Sequence, residues 1–88
     1  MTREAVERSM QRARAELQAA KGRRARHDHL LLAAKLYGVD LPAIPIDDEL
    51  AVARAVAILD ARGVHLDQHL LNPPTADQIL AGHDERHP

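Results

Sequence analysis

Six histidines stand among 88 residues, and four of them form i,i+4 pairs, His65 with His69 and His83 with His87. On a helix that spacing turns two imidazoles toward one point, a geometry suited to Zn, Ni or Cu, and Asp67 or Asp84 would add an oxygen ligand. Two imidazoles fall short of a structural site, and Leu66 stands where a His-Glu-x-x-His protease carries its general-base glutamate. His65 and His69 are therefore weak metal candidates, implying at most histidine-mediated, metal-dependent assembly. No bound cofactor is expected. The remaining pair, His27 and His29, flanks Asp28.

The sharpest local feature is the basic run Lys21-Gly-Arg-Arg-Ala-Arg26, which with Arg8, Arg12 and Arg14 sets seven cations against Glu16 alone between positions 8 and 26. Spread along a helix, such side chains neutralise phosphates and give salt-dependent, sequence-tolerant affinity. Lys21, Arg23, Arg24 and Arg26 are thus the candidate polyanion-binding residues, and an accessory nucleic-acid binder without base readout is the alternative function. The competing reading is that this face pairs with the acidic second half of its own chain or of a neighbour. Residues 1–36 carry nine Lys or Arg against four Asp or Glu, residues 37–88 three against nine, so a net charge of −1 conceals a dipole along the sequence.

Catalysis finds little to work with. Ser9 is the only serine and lies among charges, with no turn nearby to form an oxyanion hole. Cysteine is absent, which removes thiol nucleophiles, thiolate metal sites and disulfides. Asp47, Asp48 and Glu49 sit where a helix should start, so capping explains them better than acid–base chemistry. No catalytic residue is assigned and no enzyme activity is expected. Tyr37 is the only aromatic residue, which excludes the base-stacking platforms of single-strand binders.

The elements that carry these residues read as helices throughout, and no strand-like alternation occurs. Thr2 is a suitable N-cap, and strong helix formers run without proline until Pro42, so one long helix is expected over 3–37, closed by Gly38. Val6, Met10, Ala13, Leu17 and Ala20 recur at spacings of 4, 3, 4 and 3, the seam of a helix lying along a partner. Arg24 and His27 interrupt that register. Leu31 and Ala34 resume it, widened by Leu30, Leu32 and Leu36 into something resembling a core. Gly22 lowers helix stability by about 1 kcal/mol relative to Ala and is the expected point of any kink.

Leu41 to Ile46 contains two prolines and reads as an extended apolar linker. Asp47 or Asp48 then caps a second helix ending near Arg62, in which Arg54 is the only polar residue between Leu50 and Leu59. A helix apolar nearly all round needs cover on several sides, and in so short a chain the expectation is that a second subunit supplies it. Gly38-Val-Asp-Leu41 and Gly63-Val-His-Leu66 repeat one phrase, matching two glycine-closed ends whose next apolar residue folds back. His65 to Asn72 is expected to form a short helix. Thr75 and Gln78 form a capping box for a last helix over 76–82, and 83–88 is expected to be a flexible tail.

Leu32–Val39 and Ile58–Val64 both resemble the first helix and turn of a helix-turn-helix. Pro42 and Pro45 block a recognition helix after the first, and the would-be reading helix after the second, with His65, Asp67, Gln68 and His69, holds no Lys or Arg to seat it on phosphate. Forty residues are apolar but sixteen of these are alanine, so the length and core allow one small all-α domain of three or four helices, with a compact helical region over 47–82. Runs such as Leu30–Ala34 are far too short to span a bilayer, so no membrane partner is expected. No apolar leader follows Met1, and a cytoplasmic protein is the default expectation. The reading as a whole is a non-enzymatic interaction module, an adaptor or regulator that self-associates, most simply as a homodimer. Val6, Met10, Leu17, Val52, Val56 and Leu59 are the candidate interface.

Overall fold

The computed structural model describes residues 2–85. Four helices follow one another: α1 Arg3–Tyr37, α2 Glu49–Ala61, α3 Gln68–Leu71 and α4 Ala76–Glu85, with no strand among the described residues. The protein is all-α, with a long N-terminal helix against which the shorter ones lie. None of these helices is long and apolar enough to cross a membrane.

Each end is set by local chemistry. The Ala5 N–H donates to Thr2 Oγ1 and the Ala51 N–H to Asp48 Oδ1, both at 3.1 Å, which satisfies donors that a helix start leaves orphaned. Thr75 and Gln78 cap α4 reciprocally, through Thr75 N–H to Gln78 Oε1 at 2.9 Å and Gln78 N–H to Thr75 Oγ1 at 3.2 Å. After α1 and α2 the backbone turns left-handed at Gly38 and Gly63. The next residue then bonds back five positions, Val39 N–H to Ala34 O at 2.9 Å and Val64 N–H to Leu59 O at 3.1 Å. Both valines are buried, so the repeated glycine-valine phrase marks two helix ends that plug the core.

That core gathers Leu30, Ala33 and Ala34 of α1, Val52, Ala55 and Leu59 of α2, and Val39, Ile44 and Val64 from the connections. The connection 39–48 doubles back along α1: His27 Nε2 donates to Ile44 O at 2.8 Å, and Asp47 meets Arg23. Two expectations fail at this point. The second helix needs no second subunit, because Val52 and Leu59 are enclosed by α1 and by the apolar residues of the connections, which the reading of α2 in isolation left out. The outward side of α2 is mostly Ala53, Arg54 and Ala57, with Leu50 exposed at its start, so past that first turn it presents no large apolar side chain that calls for further cover.

Gly22 does not break α1, which runs unbroken from Arg3 to Tyr37. It is instead a point of close approach: a Cβ added there would lie 2.8 Å from Cβ of Pro73. Pro73 thus seats the start of the last segment on α1. From there α4 returns along the helix, with Arg12 bonded to Asp77 at 2.9 Å and Ala15 and Ala19 buried. The short helix is confined to Gln68–Leu71, because the Asp67 carboxylate accepts from the His69 N–H at 2.9 Å and so places the N-cap there. The α4 backbone continues past Gly82 through Glu85, so His83–Glu85 do not belong to a tail; the rest of the expected tail, 86–88, lies outside the described residues.

Candidate interaction surface

Helix α1 carries two faces of opposite fate. Ala15, Ala19, Arg26, Leu30 and Ala33 are buried, and with Gly22 they form the line on which the rest of the chain packs. At about 100° per residue the series Val6, Met10, Ala13, Leu17, Ala20 lies roughly 160° around the helix from that line. Its large members are open, with Val6 40%, Met10 49% and Leu17 60% exposed. The seam read from spacing is therefore present on the surface and is not used by the chain's own fold. Of the six candidate interface residues, these three are accessible. Val52 and Leu59 are withdrawn into the core, which corrects their assignment to an interface, and Val56 is half-buried beside them.

Two more apolar groups bear on this face. Leu31, expected to help build the core, is 45% exposed and prolongs the seam. Leu32 and Leu36 are likewise exposed, because only Leu30 of that cluster falls on the buried line. Ile46 stands beside Leu17 and Ala20 at the edge of a shallow depression that also includes Lys21 and Arg24. In the sequence it belongs only to the linker; its proximity arises because 39–48 doubles back along α1, which spacing along the chain does not show.

The basic run divides in the same way. Arg26 is buried, and its guanidinium makes two bonds to the Glu49 carboxylate, at 3.0 and 2.9 Å. Arg23 Nε donates to Asp47 at 2.9 Å. With Arg12 on Asp77, these pairs strap α1 to the start of α2 and to α4. Much of the charge asymmetry between the halves is thereby neutralised inside one chain. Arg23 and Arg26 are structural rather than free for a polyanion, which corrects that assignment. Lys21 and Arg24 are exposed, as are Arg8 and Arg14, with no carboxylate within 4.0 Å among the described residues.

A broad groove runs between α2 and the α3–α4 segment, over Val52, Val56, Leu71 and Pro73, with Arg26 and Glu49 in its lining. Those two charged groups satisfy each other, except that Arg26 Nε is buried without a partner. Among the described residues no histidine, serine or lysine lines it. The metal candidates do not share a helix: His65 lies in the non-helical stretch before α3 and His69 inside it, so the i,i+4 convergence of a shared helix is lost. Among the described residues no group of three or more His, Asp or Glu is placed to hold a metal ion. His29 has a structural task, accepting the Asp67 N–H on Nε2 at 3.0 Å, and so tethers α3 to α1. The side chain of His83 and all of His87 lie outside the described residues.

Comparison with known proteins adds no relative: no family model, curated protein or solved structure matches this chain.

Proposed function

We propose that this protein is a non-enzymatic, self-associating interaction module whose working surface is the open seam of α1. The observation that carries the reading is the exposure of Val6, Met10 and Leu17 on the side of α1 turned away from the core. A run of large apolar side chains at coiled-coil spacing, held on a helix already fixed by its own domain, is a surface suited to another helix. Because α1 is ordered before it meets a partner, the entropy of helix formation does not count against association.

The seam is short, and an interface built on it falls below the roughly 1,600 Å² of a standard stable complex, so the association is weak and exchanging. That suits an adaptor or regulator, which joins what its two copies carry and releases it. Sedimentation velocity of the wild-type chain and of Leu17→Glu tests this. The wild type should move from monomer toward dimer over about 1 µM to 1 mM, whereas Leu17→Glu should remain monomeric with unchanged helicity. A wild type that is monomeric throughout, or a variant that associates equally well, overturns the proposal. The polyanion alternative is weaker in this fold, since Arg23 and Arg26 are engaged with Asp47 and Glu49.

A further inference from the structure

Resting on that reading of the α1 seam, we infer that its occupant is the same seam of a second copy, running antiparallel, with the two-fold axis passing between Gln11 and Arg12. The inference follows from the charges that border the seam. In coiled-coil terms Arg3, Met10, Leu17 and Arg24 form one set of core positions and Val6, Ala13 and Ala20 the other. One border consists of Glu7, Arg14 and Lys21, the other of Ser9, Glu16 and Arg23.

Each way of laying two such helices together brings different charges face to face. A parallel, in-register pair sets Arg24 against Arg24 of the second copy inside the seam, where two unpaired cations are strongly unfavourable. Antiparallel pairs exist in several alignments. In one, Arg14 meets Arg14 and Glu16 meets Glu16 across the axis. One step further along, Arg14 meets Lys21 and Glu7 meets Asp28. Shifted the other way, Glu7 meets Glu7. Like charges facing one another are destabilising in all three.

The alignment centred between Gln11 and Arg12 has none of these conflicts. Val6 faces Leu17 of the second copy and Met10 faces Ala13, each contact made twice by symmetry. Glu7 faces Arg14 twice, and Ser9 faces Glu16. Arg24 falls beyond the end of the partner helix and stays in water, as its exposure in the single chain allows; Arg3 meets Ala20 of the second copy at the open end of the overlap, where its 93% exposed side chain reaches past the seam into water. The overlap covers residues 3–20, about 27 Å of helix at 1.5 Å per residue. Ile46 adds apolar surface beside Leu17 and Ala20, where Val6 of the second copy arrives. The chain's own packing does not interfere, since α2, α3 and α4 all lie against the other side of α1.

The chain has no cysteine, so single cysteines report proximity without background. Val6→Cys and Leu17→Cys would be made separately, mixed in equal amounts and treated with a short bismaleimide under conditions where sedimentation shows dimer. The expected result is a cross-linked species containing one chain of each kind, with little cross-linking of Leu17→Cys alone. Efficient cross-linking of Leu17→Cys to itself would show a parallel pair or an antiparallel pair shifted toward Leu17, overturning this register while leaving self-association standing. A dimer that cross-links in neither experiment uses another face, which overturns the register and the seam together. A chain that is monomeric under all conditions overturns self-association itself. As an independent arm, Glu7→Arg should weaken dimerisation about tenfold, since two exposed attractions become repulsions. Glu7→Arg with Arg14→Glu should restore it, and failure of that restoration contradicts the register.

Discussion

Replacing Gly22 by alanine separates the structure from simple helix propensity, because the two give opposite signs. Alanine in a helix interior is favoured over glycine by about 1 kcal/mol, so an isolated helix would be stabilised. In the folded chain the new methyl would stand 2.8 Å from Cβ of Pro73. That atom belongs to a ring fused to the backbone and cannot rotate away, and Pro74 behind it stiffens the segment further. Relief requires the 72–75 segment to lift from α1, loosening the seat of α4. Overpacking of this kind costs about 1–3 kcal/mol, so the net effect is a loss of up to about 2 kcal/mol. For a domain of this size each 1 kcal/mol corresponds to roughly 4–8 °C in Tm. Thermal and urea melts of wild type, Gly22→Ala, Pro73→Gly and the double variant test it, all at one low protein concentration so that association does not contribute. Gly22→Ala should destabilise the wild type and stabilise the Pro73→Gly background, where the opposing Cβ is gone. A rise in Tm for Gly22→Ala in the otherwise unaltered chain would refute the close approach.

Other consequences are simpler to state. Leu59→Ala, at a fully buried position, should lose about 2–5 kcal/mol by urea denaturation, while Leu17→Ala should change the stability of the dilute monomer by under about 0.5 kcal/mol. Glu49→Ala should cost about 1–3 kcal/mol because it leaves the buried Arg26 guanidinium unpaired. Arg26→Met with Glu49→Ala should recover most of that loss in the same assay. Thr75→Ala should cost about 1 kcal/mol and raise hydrogen exchange in the first turn of α4 before that of α2.

Helix ends were legible in the sequence because their causes are local: Thr2, Asp48 and the Thr75–Gln78 pair satisfy donors within three residues, and Gly38 and Gly63 supply a left-handed turn on the spot. Which side of α1 faces inward was harder to see. The large residues of the 4-3-4-3 seam draw the eye, yet the chain packs on Ala15, Ala19 and Gly22, whose value is that they let Pro73 and α4 come close. A signal was present in the spacing of 15, 19, 22, 26, 30 and 33, which runs straight down one face and includes Arg26 while leaving out Arg24. Reading it requires accepting an arginine on the inner line, which becomes reasonable only once Glu49 is known to arrive opposite. The cover over α2 was missed for a related reason: Val39, Ile44 and Val64 lie in connections, and their burial depends on a chain reversal that no periodicity encodes. The histidine pair failed because Asp67 starts α3 between His65 and His69.

The separation of α1 into an inward and an outward apolar face is tested most directly by NMR of the wild-type protein over a dilution series from about 1 mM to 10 µM. Shifts that change with concentration should cluster at Val6, Met10, Ala13, Leu17 and Ala20, while the methyls of Val52 and Leu59 stay constant. Spectra that do not depend on concentration, or changes centred on α2, would contradict it.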